Sequence, residues 1–564
     1  MDAVNAIITP KPVYFKLTKN IIMKSRIIIL ALLSSSSLLM AQTEFDALKY
    51  VQTDINGTAR YMSMAGAFGA LGGDASAIKD NPAGLGIYRR SEITGTLNTI
   101  IQSSTTNWQY QENGVNKNSY GYDNLYKVGP NNFSLVIASP TRPNNSENDN
   151  NGLLSSNWSF SYNRLKNFDR NINLKSGAST SSISDYLSYF SEGFIPDDFY
   201  YTPGNISSLF DNQYMPTLSI YGYQGYLMDS VAPGTWNSTI KNMITPAYKL
   251  SEKGHLDEYS IGWAGNFSNM LYLGATLNYR NLNYSAISKY SENYGSEGYI
   301  NLGDTIYTKG SGVNLNIGAI LKPTDDLRFG LSLHTPTLYS ITDNYYSTLV
   351  YNRILNNSVS KNGTIVGPGV TKSFQLQDPV QINASVAYII GTKGLISAEY
   401  VYLDYTGSKF LNTDNQDFTY VNEGMKQMLN NVRTIKIGGE YKLTTNFSLR
   451  AGFANTNNGT KSDAEKLLDP NTKRVDTEYF LQNNTNYFTF GFGYRESNWF
   501  IDFAYMNKVV DETYYAYNTN NLVKTAVTNA TTPDQLTYAK GLAVNPASVS
   551  TSTNNAVITL GFKF

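Results

Sequence analysis

His255 and His334 are the only imidazoles in this 564-residue chain, and acyl-transfer or hydrolytic chemistry needs one of them beside a serine, aspartate or asparagine. Ser332 precedes His334 by two residues, a spacing that places both on one face of a strand. One serine and one histidine at alternate positions is also what chance supplies. No phosphate-binding loop, dinucleotide fingerprint or metal-spaced histidine cluster accompanies them. The chain has no cysteine, which excludes thiol catalysis, cysteine-ligated metal and a disulfide framework. Asp74 reads as a helix cap and Asp511-Glu512 as loop charge. The sequence therefore points away from bond chemistry and toward binding, with no cofactor or metal expected.

Residues suited to binding are of two kinds. Arg280, Lys436 and Arg450 each fall opposite the apolar face of an alternating segment, where a guanidinium or ammonium can pair with a ligand carboxylate. Carboxylates such as Glu440 and Asp502 on the same parity are competing partners. The second kind is an aromatic stretch, Tyr186, Tyr189, Phe190, Phe194, Phe199, Tyr200, Tyr201 and Phe210, suited to catching apolar ligands or to packing on itself.

The elements that position these residues are strands. The last nine residues put Ala556, Ile558, Leu560, Phe562 and Phe564 on one face and Val557, Thr559, Gly561 and Lys563 on the other, ending on an aromatic. That is the pattern of the closing strand of an outer-membrane β-barrel, lipid on one side and a watery lumen on the other. The same alternation recurs in hairpins. Phe488 to Tyr494 meets Trp499 to Tyr505 across Arg495-Glu496-Ser497-Asn498, and Ile435 to Tyr441 meets Phe447 to Phe453 across Thr444-Thr445-Asn446. Val313 to Leu321 meets Leu327 to Leu333 across Pro323 to Asp326, Tyr259 to Trp263 meets Leu271 to Leu277 across Phe267-Ser268-Asn269, and Ile382 to Ile390 meets Leu395 to Tyr405 across Gly391 to Gly394.

Adding Ser91 to Ile101, Phe133 to Ser139, Trp158 to Lys166 and the closing strand predicts an all-β fold, an antiparallel transmembrane barrel of about fourteen strands, an even number as in single-chain bacterial barrels. With Phe564 at the periplasmic end, the tight turns above fall on the periplasmic side and the long loops outside, the Pro140 to Asn157 connection being the one that is long for a periplasmic turn. Composition agrees: aromatics make up 13% and charged residues only 16%, against roughly a quarter charged in soluble domains. A mean hydropathy of -0.32 is no obstacle, because alternation hides a barrel's apolar face. The formal net charge of +0 gives no basis for capturing nucleic acid. Ahead of the barrel, Met23-Lys24-Ser25-Arg26, an apolar run from Ile27 to Leu33 and Leu38 to Ala41 form a secretion signal over 23–41. Met23 then reads as the true start and 1–22 as an upstream extension.

Residues 42–90 do not read as strand and 91–564 do. Within the first segment, Arg60 to Gly86 is small and Gly-rich, with Gly66-Ala67-Phe68, Asp74-Ala75-Ser76-Ala77 and Asn81-Pro82-Ala83-Gly84-Leu85; Asp74 can cap a short helix over Ala75 to Lys79, which Pro82 ends. This run resembles the hatch of the FadL-type outer-membrane transport family, importers of long-chain fatty acids and, in relatives, aromatic hydrocarbons. Gly318 to Ser332, around Lys322-Pro323-Thr324-Asp325, is similar to a strand-turn-strand of the same family. The long segment Asn167 to Glu258 departs from the pattern.

The resemblance implies a fourteen-stranded barrel plugged by a hatch that Asn81, Pro82 and Ala83 position. It implies passive uptake of hydrophobic small molecules across a Gram-negative outer membrane, long-chain fatty acids first. Arg280, Lys436, Arg450, Phe190, Phe194 and Phe199 are the candidate ligand contacts. The expected partners are the ligand, outer-membrane lipid and lipopolysaccharide, and the barrel-assembly machinery. A surface adhesin, a general porin and an outer-membrane lipid hydrolase are the alternatives.

Overall fold

A computed structural model describes residues 43 to 564 apart from 113, 142–150, 180, 202–204, 213, 356–358, 467, 469–471 and 519–544. The expected leader at 23–41 and extension at 1–22 lie outside the described residues.

The chain forms a closed antiparallel barrel of fourteen wall strands. In chain order these begin with β1 (Glu92–Glu112), β2 (Val115–Pro140) and β3 (Leu153–Asn167), which β4 (Arg170–Lys175) continues. After the small hairpin β5 (Met228–Ala232) and β6 (Thr235–Ser238) come β7 (Thr245–Phe267), β8 (Leu271–Asn293) and β9 (Gly298–Leu321). The seventh wall strand is broken into β10 (Leu327–His334) and β11 (Leu338–Leu355), with β12 (Val359–Val366) folded against its outer part, and the eighth into β13 (Val370–Gln377) and β14 (Gln381–Ile390). The rest are β15 (Gly394–Asp404) with the short β16 (Lys409–Leu411), then β17 (Asn431–Lys442), β18 (Phe447–Thr456), β19 (Tyr479–Arg495), β20 (Trp499–Tyr515) and β21 (Ala547–Lys563). The closing strand pairs with β1 from Glu92↔Lys563 to Trp108↔Ala547, so the wall has no free lateral edge along that seam.

Alternation sets which way each side chain points. Leu271, Leu273, Leu277 and Tyr279 on β8 face outward with Val313, Leu315 and Ile317 on β9, and Ile558, Leu560 and Phe562 do the same on β21; all are exposed. An exposed apolar band of this kind suits hydrocarbon rather than water. Their sequence neighbours Thr276, Asn278, Arg280, Asn314, Asn316 and Thr559 point inward and are buried.

The structure departs from the sequence reading at the outer ends. The first strand runs on to Glu112, and the second starts at Val115 rather than Phe133, because its outer half alternates tyrosine with asparagine and aspartate and so lacks the apolar signature. The segment from Asn167 to Glu258 is not all loop: β4 and the first half of β7 pair within it, from Arg170↔Glu252 to Lys175↔Ala247.

Inside the barrel lies the N-terminal segment: α1 (Glu44–Val51), α2 (Ala59–Ser63) and two 3-10 turns, Ala77–Lys79 and Pro82–Ile87. The short helix expected over Ala75 to Lys79 is thus a 3-10 turn. Pro82 both ends it and opens the next, since Asn81 has extended geometry and its side chain caps Ala83 N–H at 3.1 Å.

Candidate functional site

The hatch is held by the wall through polar side chains that reach its main chain. Asn81 Nδ2 donates to the Gly69 carbonyl at 2.7 Å and to the Ala319 carbonyl of β9 at 3.2 Å. Asn316 donates to the Lys79 carbonyl at 3.0 Å, Arg328 to that of Leu71 at 2.9 Å, and Asn157 to those of Leu85 and Tyr88 at 2.9 and 3.0 Å. Thr559 of the closing strand accepts from Ala59 N–H at 2.7 Å. These groups satisfy the backbone of a segment too irregular to satisfy itself.

Close approach needs glycine in the wall. A Cβ on Gly318 would lie 2.0 Å from Asn81 Oδ1, one on Gly274 2.5 Å from the Pro82 carbonyl, and one on Gly330 2.4 Å from the Gly69 carbonyl. The Asn81-Pro82-Ala83 motif therefore docks into a notch cut by glycines of β8 and β9, and Gly330 of β10 makes room for the hatch at Gly69.

Asp80, just before that motif, is the most connected residue of the hatch. Its main-chain oxygen accepts from Ser332 Oγ at 2.6 Å, His334 Nε2 at 2.9 Å and Asn383 Nδ2 at 3.1 Å. A carbonyl only accepts, so Nε2 carries the proton. Ser332 and His334, the serine and histidine singled out in the sequence, are thereby both engaged in holding the hatch. The Asp80 carboxylate accepts from the Tyr61 hydroxyl and lies 3.4 Å from Lys436 Nζ. Burial alone would raise the Asp80 carboxyl, but the ammonium groups of Lys436 and Lys79, with the Tyr61 hydroxyl, outweigh it and hold the group below the usual aspartate range.

Beyond this contact lies a cavity of about 360 Å³. Asp80, Lys79, His334 and Lys436 line it together with the apolar side chains of Leu48, Val51, Ile55, Phe168, Leu250 and Ile306. Its charges mostly neutralise one another. Arg280 pairs with Glu258 at 3.0 Å and Asp378 at 3.2 Å and also donates to Thr337. Lys436 pairs with Glu399 at 2.9 Å, and Glu399 in turn accepts from the hatch at Gly69 N–H. Arg170 and Lys49 share Glu252, each at 2.7 Å.

Of the sequence candidates, Arg280 and Lys436 line this cavity and Arg450 does not. Arg450 sits against the wall between Glu440 and Asp502, each at 2.6 Å, the two carboxylates of its own parity. Phe190, Phe194 and Phe199 lie in the segment between β4 and β7. Phe199 is buried on Tyr223, with centroids 4.9 Å apart, and against Trp236 at 5.3 Å; Phe194 packs on Phe199 at 6.2 Å, and Phe190 on Tyr186 at 5.0 Å. None of the three lines the cavity.

Lys166 is the cavity cation that alternation misses. A register shift between Arg164 and Lys166 inserts an extra residue into β3 and turns Lys166 off the outward parity of Trp158, Phe160 and Tyr162. Its Nζ donates to the Lys49 carbonyl at 3.1 Å, lies 5.2 Å from the Phe168 ring centroid, and forms no ion pair among the described residues.

The wall is interrupted beside it. The β2–β3 ladder runs from Pro140↔Ser155 only as far as Asn132↔Asn163; beyond that, β2 pairs with β1 alone. A smaller cavity opens there, lined by Lys127, Gly129, Pro130 and Arg164, and it shares Asp54, Gln102, Asn167, Lys508 and Thr553 with the large one.

No protein-family model matches this chain, and no curated protein matches it. Among solved structures, a Pseudomonas aeruginosa FadL homologue is similar at 14% identity, covering 91% of this chain and 99% of its own with a TM-score of 0.48. The P. putida toluene transporter TodX is similar at 11% identity, 90% and 99% coverage and a TM-score of 0.44. The Ralstonia pickettii toluene transporter TbuX is similar at 12% identity, 90% and 99% coverage and a TM-score of 0.42. At such identities the likeness is one of fold.

Proposed function

We propose that this protein is an outer-membrane transporter of a Gram-negative bacterium that takes up hydrophobic small molecules passively, long-chain fatty acids first. The observation that carries the reading is the cavity beyond the hatch, whose mixed polar and apolar lining includes one ammonium, that of Lys166, that forms no ion pair among the described residues. Its volume of about 360 Å³ lies within the range of small-molecule sites, roughly 300–1,000 Å³. An amphiphile with a carboxylate head and an apolar chain matches such a mixed lining, its head pairing with the Lys166 ammonium and its chain lying against Leu48, Val51, Ile55, Leu250 and Ile306. Arg280 and Lys436 border the same space and shape its polarity through their own carboxylate partners.

A lumen filled by a segment bonded to many wall strands suits selective passage better than the open channel of a general porin. Release follows the shared lining residues toward the gap between β2 and β3. No energy source is required when the ligand is consumed downstream.

The test is uptake of oleate and of toluene by cells producing the wild-type chain or Lys166→Met, with barrel assembly checked by heat-modifiable gel mobility. The proposal expects oleate uptake to fall in the variant while assembly holds. Toluene uptake with no oleate uptake in the wild type would shift the substrate to neutral aromatics, and uptake of neither would overturn transport of hydrophobic compounds.

A further inference from the structure

The outer surface of the barrel carries a face of one charge sign. Lys249 and Lys253 on β7, Lys289 on β8, Lys309 on β9 and Lys175 on β4 are all exposed, and none forms an ion pair among the described residues. Each shares the outward parity of its strand with the apolar band. Lys309 pairs with Asn283, and Lys253 with Ser285, positions beyond Tyr279 where the outward residues of β8 turn mostly polar, with Ile287 the one large apolar side chain among them. The same strands are rich in carboxylates, but Glu252, Glu258, Glu292 and Asp304 point inward and are buried. The one carboxylate of outward parity on these strands is Asp257, which Arg164 neutralises at 2.5 Å.

Two details argue that this separation needs an external anion. Lys249 stands directly opposite Lys289 across the β7–β8 ladder, an arrangement that repels unless negative charge lies between the two. In a chain with 44 basic and 44 acidic residues, exposed charge elsewhere is mixed: Lys117 bonds Glu112 on the β1–β2 hairpin, and Asp511 is exposed on β20. The lysines also climb the wall in steps of about 3.3 Å per residue just outside the apolar band, where lipid headgroups begin. Beside Lys309, at the lower end of this row, Asn281, Asn283, Ser311, Ser340 and Thr342 line a shallow depression across β8, β9 and β11, supplying hydroxyl and amide groups that suit a sugar.

We propose that the β4–β9 face binds the phosphorylated glucosamine headgroup of lipid A from the surrounding outer leaflet, with Lys249, Lys253, Lys289 and Lys309 as phosphate contacts. The proposal rests on the outer-membrane placement above and not on what the lumen carries. Lysine is a point-charge partner for phosphate, and several spread over one face suit a disaccharide that carries a phosphate at each end.

The test uses purified protein in nanodiscs doped with bisphosphorylated lipid A, the number of retained molecules counted by native mass spectrometry. Wild type is compared with the quadruple Lys→Gln variant at 249, 253, 289 and 309, with Lys393→Gln/Lys442→Gln at the periplasmic turns as control. Retention is expected to fall about fivefold or more in the quadruple variant, to stay unchanged in the control, and to be weak in the wild type with dephosphorylated lipid A. Equal retention by wild type and quadruple variant, or by phosphorylated and dephosphorylated lipid, overturns the proposal. Should the quadruple variant not assemble, salt titration of the wild type decides: retention that falls steeply with NaCl supports it, and retention indifferent to NaCl overturns it. A wild type that does not insert into nanodiscs would instead strike at the outer-membrane reading itself.

Discussion

His334 Nε2 lies 2.9 Å from the main-chain oxygen of Asp80, so an imidazole of the wall is bonded to the backbone of the hatch. Ser332 and Asn383 donate to the same oxygen. Losing one of three donors leaves the carbonyl satisfied, and losing all of them buries it unpaired, at about 1–3 kcal/mol. Single alanine variants are therefore expected to behave like wild type, while Ser332→Ala/His334→Ala/Asn383→Ala loosens the hatch. Protease nicking of the segment around Asp80 in intact cells measures this, and a triple variant as resistant as wild type would refute the latch.

The acid response of the hatch follows from Asp80. Its folded-state pKa is depressed, so the carboxylate's contribution is present above the undocked value, about 3.9 for an aspartate, and is lost as pH falls through the lower docked value. Solute leak through the barrel is expected to be flat from neutral pH down to about 5 and to rise only below about 4. Asp80→Asn removes that step, and it is tolerable because Lys436 keeps Glu399 at 2.9 Å. Leak that rises near pH 6 would assign the response to another group.

Glycines of the wall are as much part of the hatch site as the hatch motif. Gly318→Val and Gly274→Val each place side-chain carbons where Asn81 Oδ1 and the Pro82 carbonyl sit, and overpacking of this kind costs about 1–3 kcal/mol. On one wall the two together should exceed what the dock can absorb. The expected outcome is a barrel with normal heat-modifiable mobility that admits small solutes wild type excludes. Loss of the barrel itself would mean that the hatch is needed for assembly.

What the sequence makes legible is the alternation. The inward parity of Arg280, Lys436 and Arg450 is correct, and Glu440 and Asp502 are the partners of Arg450, because parity is local. Which strand faces which lumen charge is not local, and so the triangle of Lys436, Glu399 and Asp80 cannot be read from any window of the chain. Lys166 escapes for a different reason: one extra residue in β3 reverses its face, and nothing in Arg164-Leu165-Lys166 announces it. Gly274 and Gly318 look like weak points in strands until the hatch that occupies their space is in view.

The gap between β2 and β3 gives a last, sharper test of the route. Gly129 and Asn167 line it from opposite sides, and the chain has no cysteine of its own, so Gly129→Cys/Asn167→Cys supplies the only thiols. Bridging them with a short bis-maleimide closes the gap without touching Lys166 or the floor around Asp80. Oleate binding to the purified protein should persist after bridging, while uptake by cells falls to the level of the barrel-free strain and recovers with a cleavable bridge after cleavage. Uptake that survives bridging would send the ligand past Asp80 and the hatch into the periplasm, and the latch variants, rather than the gap, would then set the rate.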